Sequence, residues 1–146
     1  MLAQVIDADG RITIPHFYDN VEEVPAAERD MIAHIPFDEK KYMEAIGVKA
    51  LKGEKGYSTL ERNSCRPSFD VCGIWGGYTG EGSKTVLPSK AYAKVSCRLV
   101  PHQNHEVISK LFVDYINSIT PDYVQVKVTP MHGGEGYVCP ISDRKS

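Results

Sequence analysis

Two side chains stand apart from their surroundings as candidates for chemistry, and a third offers a hydroxyl. His132 sits in Met131-His132-Gly133-Gly134, just past the end of an extended run. The two glycines leave its imidazole uncrowded, and loops leaving a rigid scaffold often carry function. Arg98 lies inside a strand-like run. An arginine there either lays its stem across an exposed sheet face or offers a fixed guanidinium fork to a carboxylate. Thr85, a β-branched residue in a short run, can donate one hydrogen bond, and nothing local singles it out further. The other histidines read as surface or capping residues: His16, His34 on a helical stretch, and His102 and His105 flanking a helix start. No HExxH helix, P-loop lysine or GxSxG elbow is present, so no self-contained catalytic set emerges. Cys65, Cys72, Cys97 and Cys139 form no CxxC pair and no zinc-finger spacing. Their even number allows two disulfides, but reduced thiols are expected, and no metal site.

The elements that must position these groups follow from periodicity. Leu2–Ile6 reads as the end of a helix, stopped by the Asp9-Gly10 turn. Arg11–Pro15 is a short β-branched run, and His16–Val24 is acidic and irregular. Two short helices are expected, over 26–35 after Pro25 and over 37–46 before Gly47. Residues 49–56 form a Lys- and Gly-rich linker, and 57–63 a further short helix that Pro67 bars from extending. Phe69–Trp75 alternates as a strand. Gly76–Gly82 carries four glycines and serves either as a plain connection or as a loop that approaches another backbone or a ligand. Lys84–Leu87 is a short strand broken by Pro88. Over Lys90–Val100, Ala91, Ala93, Val95, Cys97 and Leu99 form an apolar face opposite Tyr92, Lys94, Ser96 and Arg98, as in an antiparallel sheet with one face open.

The longest helix follows Asn104, a suitable N-cap. Val107, Ile108, Leu111, Phe112, Tyr115, Ile116 and Ile119 make one apolar stripe that faces a sheet. Tyr123–Pro130 is a final strand, Tyr137–Ile141 a further extended piece, and Ser142–Ser146 a polar tail. This order predicts an α+β two-layer sandwich: a four-stranded antiparallel sheet with helices on one face, ferredoxin-like, plus an irregular helical N-terminal decoration.

With 146 residues, 42% of them hydrophobic and 25% charged, the chain suits one domain and excludes a disordered or coiled-coil chain. Its net charge of −2 lacks the basic excess of a nucleic-acid binder. No apolar run suffices to span a membrane, and no signal peptide is evident, so a cytoplasmic location is expected.

Three stretches carry a resemblance when taken in order: Gly73-Ile74-Trp75-Gly76-Gly77-Tyr78-Thr79-Gly80-Glu81-Gly82, Ser83-Lys84-Thr85-Val86-Leu87-Pro88-Ser89-Lys90, and Val95-Ser96-Cys97-Arg98-Leu99-Val100-Pro101. Together with Asp9-Gly10-Arg11-Ile12-Thr13-Ile14-Pro15 and Met131-His132-Gly133-Gly134, they resemble the dimerisation (lid) domain of the carnosinase-like zinc dipeptidases. These belong to the aminoacylase, succinyl-diaminopimelate desuccinylase and glutamate carboxypeptidase superfamily. The resemblance spans essentially the whole chain.

It implies a lid inserted in a catalytic domain that holds two zinc ions, and a homodimer formed through the lid. Thr85 would reach into the partner subunit's active site. Arg98 would hold the carboxylate of a peptide substrate, and His132 would contact the substrate or transition state. The family's zinc ligands, catalytic glutamate and cross-subunit histidine have no counterpart in this sequence. The expectation is therefore a single lid domain over residues 1–146, excised from a larger hydrolase and inactive by itself. A stand-alone ferredoxin-like module that binds a small molecule is the alternative.

Overall fold

The computed structural model describes residues 1–137. Cys139, most of the expected 137–141 piece and the Ser142–Ser146 tail lie outside the described residues. The elements are α1 (Ala26–Ala33), α2 (Glu39–Ile46), α3 (Thr59–Ser64), β1 (Ser68–Gly76), β2 (Ala91–Arg98) and α4 (His105–Ser118). No helix among the described residues is long and apolar enough to cross a membrane.

The opening segment is core rather than the end of a helix. Only Leu2–Gln4 turns, as a 3-10 helix. Asp7 then builds a turn: its Oδ1 accepts the amides of Asp9 and Arg11, both at 2.9 Å. The chain doubles back so that Thr13 N donates to Val5 O at 2.8 Å and Ile6 bridges Ile12. This fold-back buries Val5, Ile12, Ile14 and Phe17 together with Phe69, Ile108 and Ile116. Tyr115 Oη donates to Gln4 O at 3.1 Å and fastens the segment to α4.

The expected stripe on α4 faces this core. Ile108 and Ile116 are buried, and Leu111, Phe112, Tyr115 and Ile119 pack around them. Val107 alone of the seven is exposed. Asn104 caps the helix as expected, accepting the amides of Glu106 and Val107 at 3.0 Å each.

β1 and β2 pair antiparallel, from Ser68 opposite Arg98 to Gly76 opposite Ala91. Cys72 is an extra residue between Val71 and Gly73, a bulge that resets the alternation of β1. Beyond it Trp75 and Tyr92 stack, their rings 5.3 Å apart and 12° from parallel. Ala91, Ala93 and Ile74 at this end are exposed, whereas Val95, Cys97 and Leu99 pack on the core.

The four-stranded expectation differs from this architecture: the sheet of the described residues has two strands. At 84–87 the chain turns, because Val86 N donates to Lys84 O at 3.0 Å. That bond closes a γ-turn centred on Thr85. Residues 123–130 carry no strand pairing, yet Val126 and Val128 pack alternately against the core. Period-two burial reports where side chains go, and an unpaired extended segment produces it as readily as a ladder. Pro121 and Pro130 bracket the segment and donate no hydrogen bonds of their own.

The N-terminal decoration is helical and irregular, as expected. Asp38 caps α2 by accepting Lys40 N and Lys41 N, and Gly47 ends it at φ 72°. Ser58 and Glu61 form a capping box on α3. Neither α1 nor α2 buries a residue. What anchors this region is ionic. Glu54, inside the expected linker, receives Arg66 Nε and Nη2 at 2.8 Å each, with both side chains buried. The Arg66 guanidinium lies 4.3 Å from the Tyr57 ring centroid. Arg29 on α1 donates to Glu61 on α3 at 2.6 Å, and this bond holds the Glu61 carboxyl below the usual range.

Candidate functional site

Arg98 is the last residue of β2. Val95 and Cys97 turn inward onto the core, so alternation sends Arg98 to the opposite face, where it is exposed. Its guanidinium makes no ion pair among the described residues. Cys97, one residue before it, is held inside. Burial, aided by the Asp70 charge, pushes its thiol up to about 11. At pH 8 such a thiol is roughly 0.1% thiolate. Iodoacetamide should therefore label exposed Cys72 in the native protein and reach Cys97 only after unfolding, as read by peptide mass mapping. Equal labelling of the two would contradict the half-buried placement of Cys97.

The chain turns just beyond Arg98, at Val100–Gln103. Gln103 is buried; its Oε1 accepts Val100 N at 3.0 Å and its Nε2 donates to Phe17 O at 2.8 Å. The segment that carries His132 crosses this same corner. Gly136 lies against the Val100–Pro101 peptide so closely that a Cβ there would sit 3.1 Å from Pro101 N. His132 itself is exposed. Arg98 and the His132 segment thus share one corner of the fold. His105, expected as an exposed capping residue, is instead half-buried, with Nδ1 unpartnered among the described residues and its ring against Gly133. Sequence reasoning missed that role because its partner lies 28 residues away. His102 and His16 take left-handed backbone, φ 71° and 65°, and their rings approach Glu22 and Asp19.

Thr85 belongs to the other end. The connection over 77–90 leaves β1 at Gly76 and enters β2 at Ala91. From Ala91 to Arg98 an extended strand covers about 24 Å. The connection is exposed, with Leu87 at 98% and Val86 at 60%. Lys84 Nζ sits 4.7 Å over the Tyr78 ring. Among the described residues no group of three or more His, Cys, Asp or Glu side chains gathers as a metal site.

Solved peptidase structures share this arrangement. A metallo-carboxypeptidase from Sulfolobus solfataricus superposes with a TM-score of 0.70 at 34% identity, over 80% of this chain and 27% of that one. In sequence, a Beta-Ala-His dipeptidase of Rattus norvegicus is 27% identical over 119 residues, 82% of this chain and 24% of the relative. A Cys-Gly metallodipeptidase of Schizosaccharomyces pombe is 27% identical over 119 residues, 82% of this chain and 25% of the relative. Residues 14–124 match the peptidase dimerisation domain family, and the chain belongs to that family. It spans about a quarter of the length of these relatives.

Proposed function

We propose that residues 1–146 form one lid domain that pairs two subunits of a zinc dipeptidase and completes their substrate pockets. In this reading Arg98 takes the carboxylate of a dipeptide, His132 contacts the substrate beside it, and Thr85 serves the partner subunit's pocket. The observation that carries it is the separation of Thr85 and Arg98 by the length of β2. An extended dipeptide spans only about 7 Å. The connection that carries Thr85 joins the sheet about 24 Å of strand away from Arg98, an arrangement that two copies of the chain would use to supply both groups to one pocket. Two zinc ions would be held by the catalytic domain of the parent enzyme, as the family resemblance implies. The parent enzyme is read as a cytoplasmic homodimer without nucleic-acid or membrane partners. The four-stranded, ferredoxin-like arrangement belongs to the same reading, with Tyr123–Pro130 as one of the two further strands.

Mixed dimers test it. Thr85→Val and Arg98→Ala subunits of the intact enzyme are expected to be impaired as homodimers. Combined, they should regain activity, because one pocket of each mixed dimer then holds an intact Arg98 and an intact Thr85 from its partner. No recovery in verified mixed dimers would sink the cross-subunit role of Thr85.

A further inference from the structure

We propose that Asn104 and His105, at the start of α4, are positioning residues that clamp the Gly133–Gly136 segment and so set where His132 stands. The proposal rests on the reading of His132 as a substrate contact.

Three contacts define the clamp. The backbone at Gly133 lies against the His105 imidazole so closely that a Cβ at 133 would fall 2.8 Å from His105 Cγ. Asn104 Nδ2 donates to Glu135 Oε1 at 2.7 Å. Gly136 rests on the Val100–Pro101 peptide, where a Cβ would be 3.2 Å from Val100 C. The segment 131–137 has no helix or strand of its own. These contacts tie it to the rest of the fold.

The clamp is stiff because its base is stiff. Asn104 Oδ1 is committed to the amides of Glu106 and Val107, at 3.0 Å each. That commitment fixes the plane of the amide and aims Nδ2 at Glu135. The helix behind it is held in the core by Ile108 and Ile116. The volume of the His105 ring then sets how far Gly133 stands off the helix. His132, adjacent in the chain and exposed, takes its position from that standoff. The role is one of shape: the ring is used as a surface, and its Nδ1 has no partner among the described residues.

The experiment is kinetic, on the intact peptidase with a dipeptide substrate. Gly133→Ala should lower kcat/KM about 10- to 100-fold, since displacement of a contact group by an ångström costs on that order. Adding His105→Gly should recover about tenfold of the loss, because it vacates both the ring and the Cβ, which would lie 2.9 Å from the new methyl. Losses that merely add, with no recovery, would overturn the clamp. Glu135→Ala, which leaves the helix cap intact, should lower kcat/KM several-fold, whereas Glu135→Gln keeps an acceptor for Asn104 and should restore most of it. Equal losses in these two would also overturn it. His132→Ala separates the layers. If it impairs the enzyme while the rescue fails, the clamp alone is wrong. If it leaves kcat/KM unchanged, the reading of His132 falls and the positioning role falls with it.

Discussion

Arg98→Ala in the intact enzyme is expected to raise KM for a dipeptide about a hundredfold. A guanidinium–carboxylate pair is charge-assisted on both sides and contributes about 3 kcal/mol when its donor is lost. At about 1.4 kcal/mol per tenfold, that is roughly two orders of magnitude. The effect should fall on KM more than on kcat, because a substrate carboxylate remote from the scissile bond is gripped alike in ground and transition states. Arg98→Lys should recover only part of the loss, since lysine keeps the charge and lacks the planar fork. Stability serves as the control. Arg98 is exposed and makes no ion pair among the described residues, so thermal unfolding should shift little. An unchanged KM would remove Arg98 from the site.

Glu54→Ala should have the largest effect on folding. Its carboxylate receives two hydrogen bonds from Arg66, and both side chains are under a tenth exposed. Without Glu54 the guanidinium is left buried between Tyr57 and Tyr18 with no counter-charge. Breaking one side of a buried pair in this way costs about 3–5 kcal/mol, against a total stability of about 5–15 kcal/mol for a domain. Arg11 also reaches Glu54, but at 3.5 Å and half exposed, so it adds little. Urea unfolding of the chain measures the loss. Glu54→Leu combined with Arg66→Met removes both charges and should return a large part of it, because the desolvation penalty disappears with the pair. A single-variant loss below about 1 kcal/mol would mean that water reaches Arg66 and that the pair is not dry.

What the sequence makes legible here is local. The α4 stripe, the Asn104 cap, the Gly47 stop and both strands rest on signals within a few residues, and each has the structural counterpart it predicts. The bulge at Cys72 left no such trace, since a two-fold alternation with one inserted residue looks like two shorter alternations. The γ-turn at Thr85 was hidden for a similar reason: β-branched residues beside a proline suit a strand and a turn alike. At the opening, Leu2–Ile6 looked helical because turn and fold-back residues are both apolar when they enter a core. The ionic core was illegible because Glu54 and Arg66 are ordinary charged residues until the chain brings them together. Arg98 was conspicuous as a charge in a strand, and its separation from Thr85 follows from strand length. The contact of His105 with Gly133 needed the fold itself.

The tie made by Gln103 has a further consequence for how the protein is born. Its amide joins Phe17 to the corner at Val100, across 86 residues of chain. Val5, Ile12, Ile14 and Phe17 find their partners on α4, so they leave the ribosome well before those partners exist. At synthesis rates of about 5–20 residues per second, roughly 100 residues of delay leave this apolar stretch without its core for about 5–20 s. This segment is sheltered only once α4 has been made. During that interval it is a natural client for a chaperone, and the region most exposed to association between nascent chains.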